Sequence, residues 1–432
     1  MTPALARLGY HYFPDDQHFR QADLEAWLPA LQSVGARWLT LRATLDRGVP
    51  EPFIAGLRQA GIEPIIHVGA PVRRLTDHEL SPLLSSYAAW GIRYVIVFDR
   101  PNLRSQWPGA SWAQSGLVDR FLDALVPVLH AQKAAGLTPV LPPLEPAGDY
   151  WDTAFLSALL DGMARRGFAT LLSEAALAIY AWTYGRSLNW GAGGPPAWPE
   201  TRPYHTPEGS QDQRGLHGFE WYHAAAARAG HPELPMLVVA GGALCTTGDG
   251  AIDPNRQSED NLGIARALGG VEIPDYVLNF NFYPLAAAGG HPDEPSAWFS
   301  APDQPQPAAQ AISRLLAATA SAPHGAAHVL THYVLLDLDD AALGTLDLAA
   351  LYDLVGDRQA SIGVSPEAAR LAAQVTLVGN GGRLPPDVES VLHSAGCQVR
   401  RLASGAKDPA AALFAAPADA RGTTLHMGMS HG

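Results

Sequence analysis

The chain has 432 residues, 47% of them apolar, enough to bury one large core and a smaller second unit, which excludes a disordered or fibrous protein. Its formal charge of -13 arises from 42 acids against 29 bases with no basic block, which argues against a nucleic-acid or anionic-membrane partner. Two distant cysteines, Cys245 and Cys397, form neither a disulfide framework nor a metal-ligand spacing, and leave one long-range bridge open.

No run approaches the length of a membrane span, and Met1 to Gly9 lacks the apolar core of a signal peptide. The expected location as written is cytoplasmic, with an extracellular one open if the start is processed or recombinant. From Leu8 onward, strand-like and helix-like segments alternate as repeated βα units. The expected strands are Leu8 to Phe13, Arg37 to Ala43, Ile62 to Val68 and Tyr94 to Phe98. Four more follow: Leu137 to Leu144, Leu177 to Tyr184, Met236 to Val239 and Tyr276 to Tyr283. Helical spacing intervenes at Asp23 to Val34, Pro52 to Ala60, Leu117 to Ala134, Trp151 to Arg166, His217 to Ala229 and Pro307 to Ala320. Gly35, Gly61, Gly91 and Gly136 each follow a helix and precede a strand, where a left-handed cap is needed.

Eight such units predict an α/β fold, a (β/α)8 TIM barrel over residues 1–320, with a small C-terminal α/β appendage over 321–432. The pattern breaks once, at Gly185 to Gly215, an aperiodic stretch rich in Gly, Pro and aromatics. Its length marks it as a functional loop expected to cover part of a ligand cleft through Trp190 and Trp198. In the appendage, Val329 to Leu336 reads as a strand, Ala341 to Leu354 as a helix, and Gln374 to Leu402 as strand, glycine turn, helix and strand. The tail residues His426, Met427, Met429 and His431 read as a frayed terminus rather than a metal site.

The fourth strand, Tyr94-Val95-Ile96-Val97-Phe98, ends in Asp99-Arg100-Pro101-Asn102, so a buried strand delivers polar side chains to the face where barrel ligands bind. This stretch resembles the fourth strand of the clan A retaining glycoside hydrolases, an aromatic residue followed by Asn-Glu-Pro-Asn. Phe98, Pro101 and Asn102 fit; Asp99 and Arg100 stand at the Asn and the acid/base Glu. Ala178 to Gly185 resembles the clan's sixth strand. Pro235 to Gly242 resembles the seventh, whose Glu is the nucleophile and whose place falls on Ala240. Gln374 to Leu402 resembles one copy of a cell-wall-binding type 2 repeat.

Retaining hydrolysis needs two carboxyl groups, one to protonate the leaving oxygen and one to attack the anomeric carbon. Arginine has no proton to give at working pH, and alanine has no nucleophile. The resemblance therefore implies a barrel that binds carbohydrate or a related polyhydroxylated ligand while lacking the standard pair. The alternative is an active hydrolase with relocated acids, for which Asp99 and Glu145 are the best pair because adjacent strand ends lie close. Expected ligand contacts are Arg100, Asn102, His11, Trp182, Tyr184, Trp190, Tyr283 and Trp298, with core packing as the competing role for the aromatics. Arg100 either reads an anionic group on the ligand or pairs with Asp99 or Glu145. No GxSxG, P-loop or HExxH is present and His11 and His67 fit no metal motif, so no cofactor and no metal is expected.

Overall fold

In a computed structural model of the chain, the residues described are 6–245, 253–270, 272–321, 330–337, 360–378, 384–385 and 387–402. Contacts divide the chain into two compact units, Met1–Ala318 and Thr319–Gly432. The first is the parallel barrel with its surrounding helices. Its strands are β1 (Leu8–His11), β2 (Trp38–Thr44), β3 (Glu63–Gly69), β4 (Tyr94–Val97), β5 (Val140–Leu141), β6 (Ala176–Trp182), β7 (Met236–Gly242) and β8 (Val277–Phe282). All neighbours pair in parallel in the order β4-β3-β2-β1-β8-β7-β6-β5.

The seam between β4 and β5 explains why β5 has only two residues where eight were expected. Pro139, Pro142 and Pro143 flank Val140–Leu141, and proline contributes no N–H to a ladder. Closure is left to the bridge Tyr94↔Thr138, to the backbone bonds from Thr138 N–H to the Arg93 carbonyl at 3.0 Å and from Arg100 N–H to the Pro143 carbonyl at 2.9 Å, and to a side chain from the helix Leu117–Ala134. Gln132, fully buried in that helix, donates Nε2 to the Val95 carbonyl at 2.7 Å and accepts the Val140 N–H at 3.0 Å. One amide thus replaces the missing rungs. Gln132→Leu should lower unfolding free energy by roughly 2–3 kcal/mol, because buried backbone groups on both strands lose this partner. A denaturation midpoint unchanged from wild type would contradict that.

The apolar residues sort by strand alternation into two layers. Ile65, Tyr94, Ile96, Ala178, Tyr180 and Leu237 fill the barrel interior, while Val95, Val97, Ile66 and Phe280 face the helices. β8 adds a polar layer inside: Asn281 donates to Thr40 Oγ1 at 2.6 Å, and Asn279 to Asn281 Oδ1 at 2.9 Å. The four glycines between helices and strands have φ between 65° and 84°, as their places require.

Further elements went unanticipated, among them the short helix Ala169–Ser173 and the hairpin Phe299–Ala301 with Gln304–Pro305. In the second unit, Leu330–Leu336, Ala360–Gly363, Ala372–Val378 and Gln398–Leu402 form a parallel four-stranded sheet, with a helix at Val388–Ser394. Ala341 to Leu354 and the tail with His426 lie outside the described residues. Both cysteines are buried free thiols. Among the described residues, no helix is long and apolar enough to cross a membrane.

Candidate active site at the mouth of the barrel

At the end of β4 the backbone leaves the strand abruptly. Phe98 adopts φ 75°, and its ring turns to the helix layer against Phe121, with centroids 5.8 Å apart. The inward place that alternation would give to position 98 passes to Asp99 instead. Arg100, also at positive φ (46°), is fixed by its N–H to the Pro143 carbonyl at 2.9 Å. Positive φ at two non-glycine residues is uncommon and costs energy; such strain concentrates at functional sites.

Asp99 is almost fully buried, and both its oxygens are engaged. Tyr180 donates its hydroxyl to Oδ1 at 2.7 Å, while Arg42 and Arg100 reach Oδ2 at 3.4 and 3.3 Å. Burial opposes the charge, but His67, the two guanidiniums and the tyrosine hydroxyl outweigh it and hold the carboxyl down at about 2. His67 accepts from Arg42 on Nδ1 at 3.2 Å and donates Nε2–H to the Phe98 carbonyl at 3.1 Å, which assigns the neutral tautomer. Burial and Arg42 push it down to about 4, so near neutrality the balancing charge on Asp99 comes from the arginines.

Glu145 lies across Arg100 from Asp99. The guanidinium donates Nη1 to Glu145 Oε2 at 3.4 Å and Nη2 to Asp99 Oδ2, and sits 5.7 Å from the centre of the Tyr180 ring. Burial raises the Glu145 pKa, with Arg100 opposing and Asp99 adding to the rise. The cavity holding these groups has a volume of about 150 Å³. Its walls are His11, Pro14, Arg42, Asp99, Arg100, Glu145, Tyr180, Trp182, Ala240 and Tyr283. Trp182 stacks on Tyr180 and meets Tyr283 edge-on at 5.4 Å; His11 meets Tyr283 at 4.9 Å. No carboxylate comes from β7, which presents Ala240.

Six residues singled out from sequence therefore line one cavity: His11, Asp99, Arg100, Glu145, Trp182 and Tyr283. Four do not. Asn102 is fully buried and stitches two loops together, accepting the Glu145 N–H at 2.8 Å and donating to the carbonyls of Glu145 and Tyr150. It positions Glu145. Trp298 is fully buried between Tyr10 and Phe282, outside the barrel interior. Trp190 stacks on Arg186 and donates to Asp212. Trp198 closes on its own loop by donating to the Ala192 carbonyl. The expectation that the long loop brings these two tryptophans over the cleft is thus corrected: they fold the loop on itself. Tyr184, at φ 52°, is 43% exposed and lies off the cavity wall. Arg42 and Tyr180 were missed, although inward alternation in WLTLRAT and LAIYAWT places both at the mouth.

The chain matches no protein-family model, and no curated protein matches it in sequence. Its solved-structure neighbours include a family 39 glycoside hydrolase from the gut symbiont Bacteroides cellulosilyticus WH2, with a TM-score of 0.51 and 12% identity. That match covers 73% of this chain and 64% of the other, so the chain spans under two thirds of that protein. The barrel shares the (β/α)8 fold of that enzyme. A GH128 endo-β-1,3-glucanase from Amycolatopsis mediterranei, in complex with laminarihexaose, matches over 72% of this chain and 99% of its own, at 16% identity and a TM-score of 0.45. GH5_18 from Streptomyces cattleya, in complex with GlcNAc, matches over 91% and 98%, at 13% identity and a TM-score of 0.46. The (β/α)8 barrel of this chain carries its cavity at the strands' C-terminal ends, the face where such barrels bind their ligands.

Proposed function

We propose that this barrel binds carbohydrate in the cavity at its mouth and does not cleave it by the two-carboxylate retaining mechanism. The observation that carries this reading is the Arg100 guanidinium standing between Asp99 and Glu145 and bonded to both, opposite a β7 that offers only Ala240. Asp99 has both oxygens engaged in hydrogen bonds and is stabilised as an anion, which lowers its nucleophilicity. The Trp182, Tyr180 and Tyr283 rings supply an apolar wall for the C–H face of a sugar, with His11 as a polar neighbour.

A second reading has one observation in its favour. Ionised Asp99 beside Glu145, whose pKa burial raises, is the divergence expected of a nucleophile and an acid. It predicts turnover of aryl glycosides abolished by Glu145→Gln. The binding reading predicts no turnover, and a loss of affinity of about fivefold or more in Trp182→Ala, since a ring contact is worth about 1 kcal/mol or more. Calorimetric titration with neutral and acidic oligosaccharides, run beside a reducing-end assay, separates the two. The likeness of 374–402 to a cell-wall-binding repeat supports an accessory binding role for the second unit.

A further inference from the structure

We infer that the ligand of this cavity carries a carboxylate, as in a uronic acid, and that Arg42 and Arg100 select for it. The inference rests on the carbohydrate reading above and concerns which sugars the same site takes. Two guanidiniums line a cavity of about 150 Å³, which is more cationic donor capacity than a neutral sugar ring needs. Their side chains remain 25% and 39% exposed, so a ligand can reach them.

The protein uses these donors incompletely. Arg42 spends Nη1 on His67 and Asp99, and among the described residues neither its Nη2 nor its Nε has a protein acceptor. Arg100 Nε is buried without a partner. The bonds that do tie the guanidiniums to carboxylates, 3.3 to 3.4 Å long, lie beyond the usual charge-assisted range of about 2.7–2.9 Å. Of the two acids in the wall, Asp99 lies beneath the arginines with its side chain only 7% exposed and its oxygens occupied. Glu145 pairs with Arg100 at one side, and its burial disfavours the charged form. The donors left to a ligand are therefore those of Arg42 that the protein does not use, beside the exposed part of the Arg100 guanidinium; Arg100 Nε and His11 Nδ1, though unpartnered, are buried. A planar fork of donors matches a carboxylate better than a hydroxyl.

The test is a matched titration of the full chain by calorimetry with D-glucuronate and D-glucose, D-galacturonate and D-galactose, and short oligomers of each kind. The expected result is at least about tenfold tighter binding of the acidic member of a pair, as one added charge-assisted bidentate contact would give. That preference should weaken as salt rises, and Arg42→Gln and Arg100→Gln should each shrink the acid-to-neutral affinity ratio to threefold or less. Equal affinity for acid and neutral sugars, or tighter binding of the neutral one, overturns the anion inference and leaves the carbohydrate reading intact. Failure of every sugar to bind overturns both. The wild-type comparison stands even if a variant does not fold, and Arg100→Lys, which keeps the charge but loses the fork, should fall between wild type and Arg100→Gln.

Discussion

Asp99→Ala is expected to destabilise the barrel by about 3–5 kcal/mol, the usual cost of removing one partner from a buried charge network. The substitution strips Tyr180 of its acceptor and leaves Arg42 and Arg100 facing each other without the charge between them. Both arginines keep some solvent contact, which places the effect toward the lower end of that range. The same carboxyl predicts a pH dependence. Its folded pKa, at about 2, is depressed below the unfolded value of about 3.9, so its contribution is fully present above about pH 5 and is lost as pH falls through the folded value. That contribution amounts to roughly 2–3 kcal/mol. Urea denaturation at pH 6 and pH 2.5 should show this loss in wild type and not in Asp99→Asn. Parallel curves for the two proteins would mean that the carboxyl is not held by the arginines.

An effect of similar size is expected at Asp212→Ala, in the long loop off the cavity wall. The Asp212 side chain is wholly buried and gathers the long loop around itself. It accepts from Arg186 at 2.9 Å, from Thr206 at 2.7 Å, from the Arg214 backbone at 3.1 Å and from the Arg214 and Trp190 side chains. Burial opposes its charge, but the hydrogen bonds from Arg214 and Thr206 hold it well below the usual carboxylate range. Losing it should cost about 3–5 kcal/mol, felt first as local opening of the loop. Hydrogen exchange should show lost amide protection across residues 186–214 with the β1 and β8 amides unchanged. Uniform loss over the whole barrel, or none, would contradict the assignment of Asp212 as the loop's anchor.

The barrel was legible because its strands are buried on both sides and read as apolar runs closed by glycine-capped helices. What periodicity could not reveal is where a ladder fails. Leu137 to Leu144 looks like a full strand until its three prolines are counted as missing donors, and the compensating Gln132 sits in a helix whose pattern marks that position only as buried. At the site, residues placed by strand alternation, such as His11, Trp182 and Tyr283, reach the cavity wall. The aromatics further along the chain do not: Tyr184, at positive φ, and Trp190 follow the chain as it turns away, and Trp298 returns to the core behind β8. Arg42 carried a readable signal, a charge at an inward position of an otherwise apolar strand. The positive φ at Phe98 carried none, since nothing in a phenylalanine announces a left-handed backbone, yet it is what presents Asp99 to the cavity.

On the function proposed above, the cavity holds a glycan without breaking it. The most direct measurement is mass spectrometry of an oligosaccharide recovered from its complex with the wild-type chain after prolonged incubation. The expected result is the intact oligosaccharide, bound one per chain and lost from the Trp182→Ala variant. Shortened products that accumulate with time and disappear in Glu145→Gln would contradict it and establish Asp99 and Glu145 as a working pair.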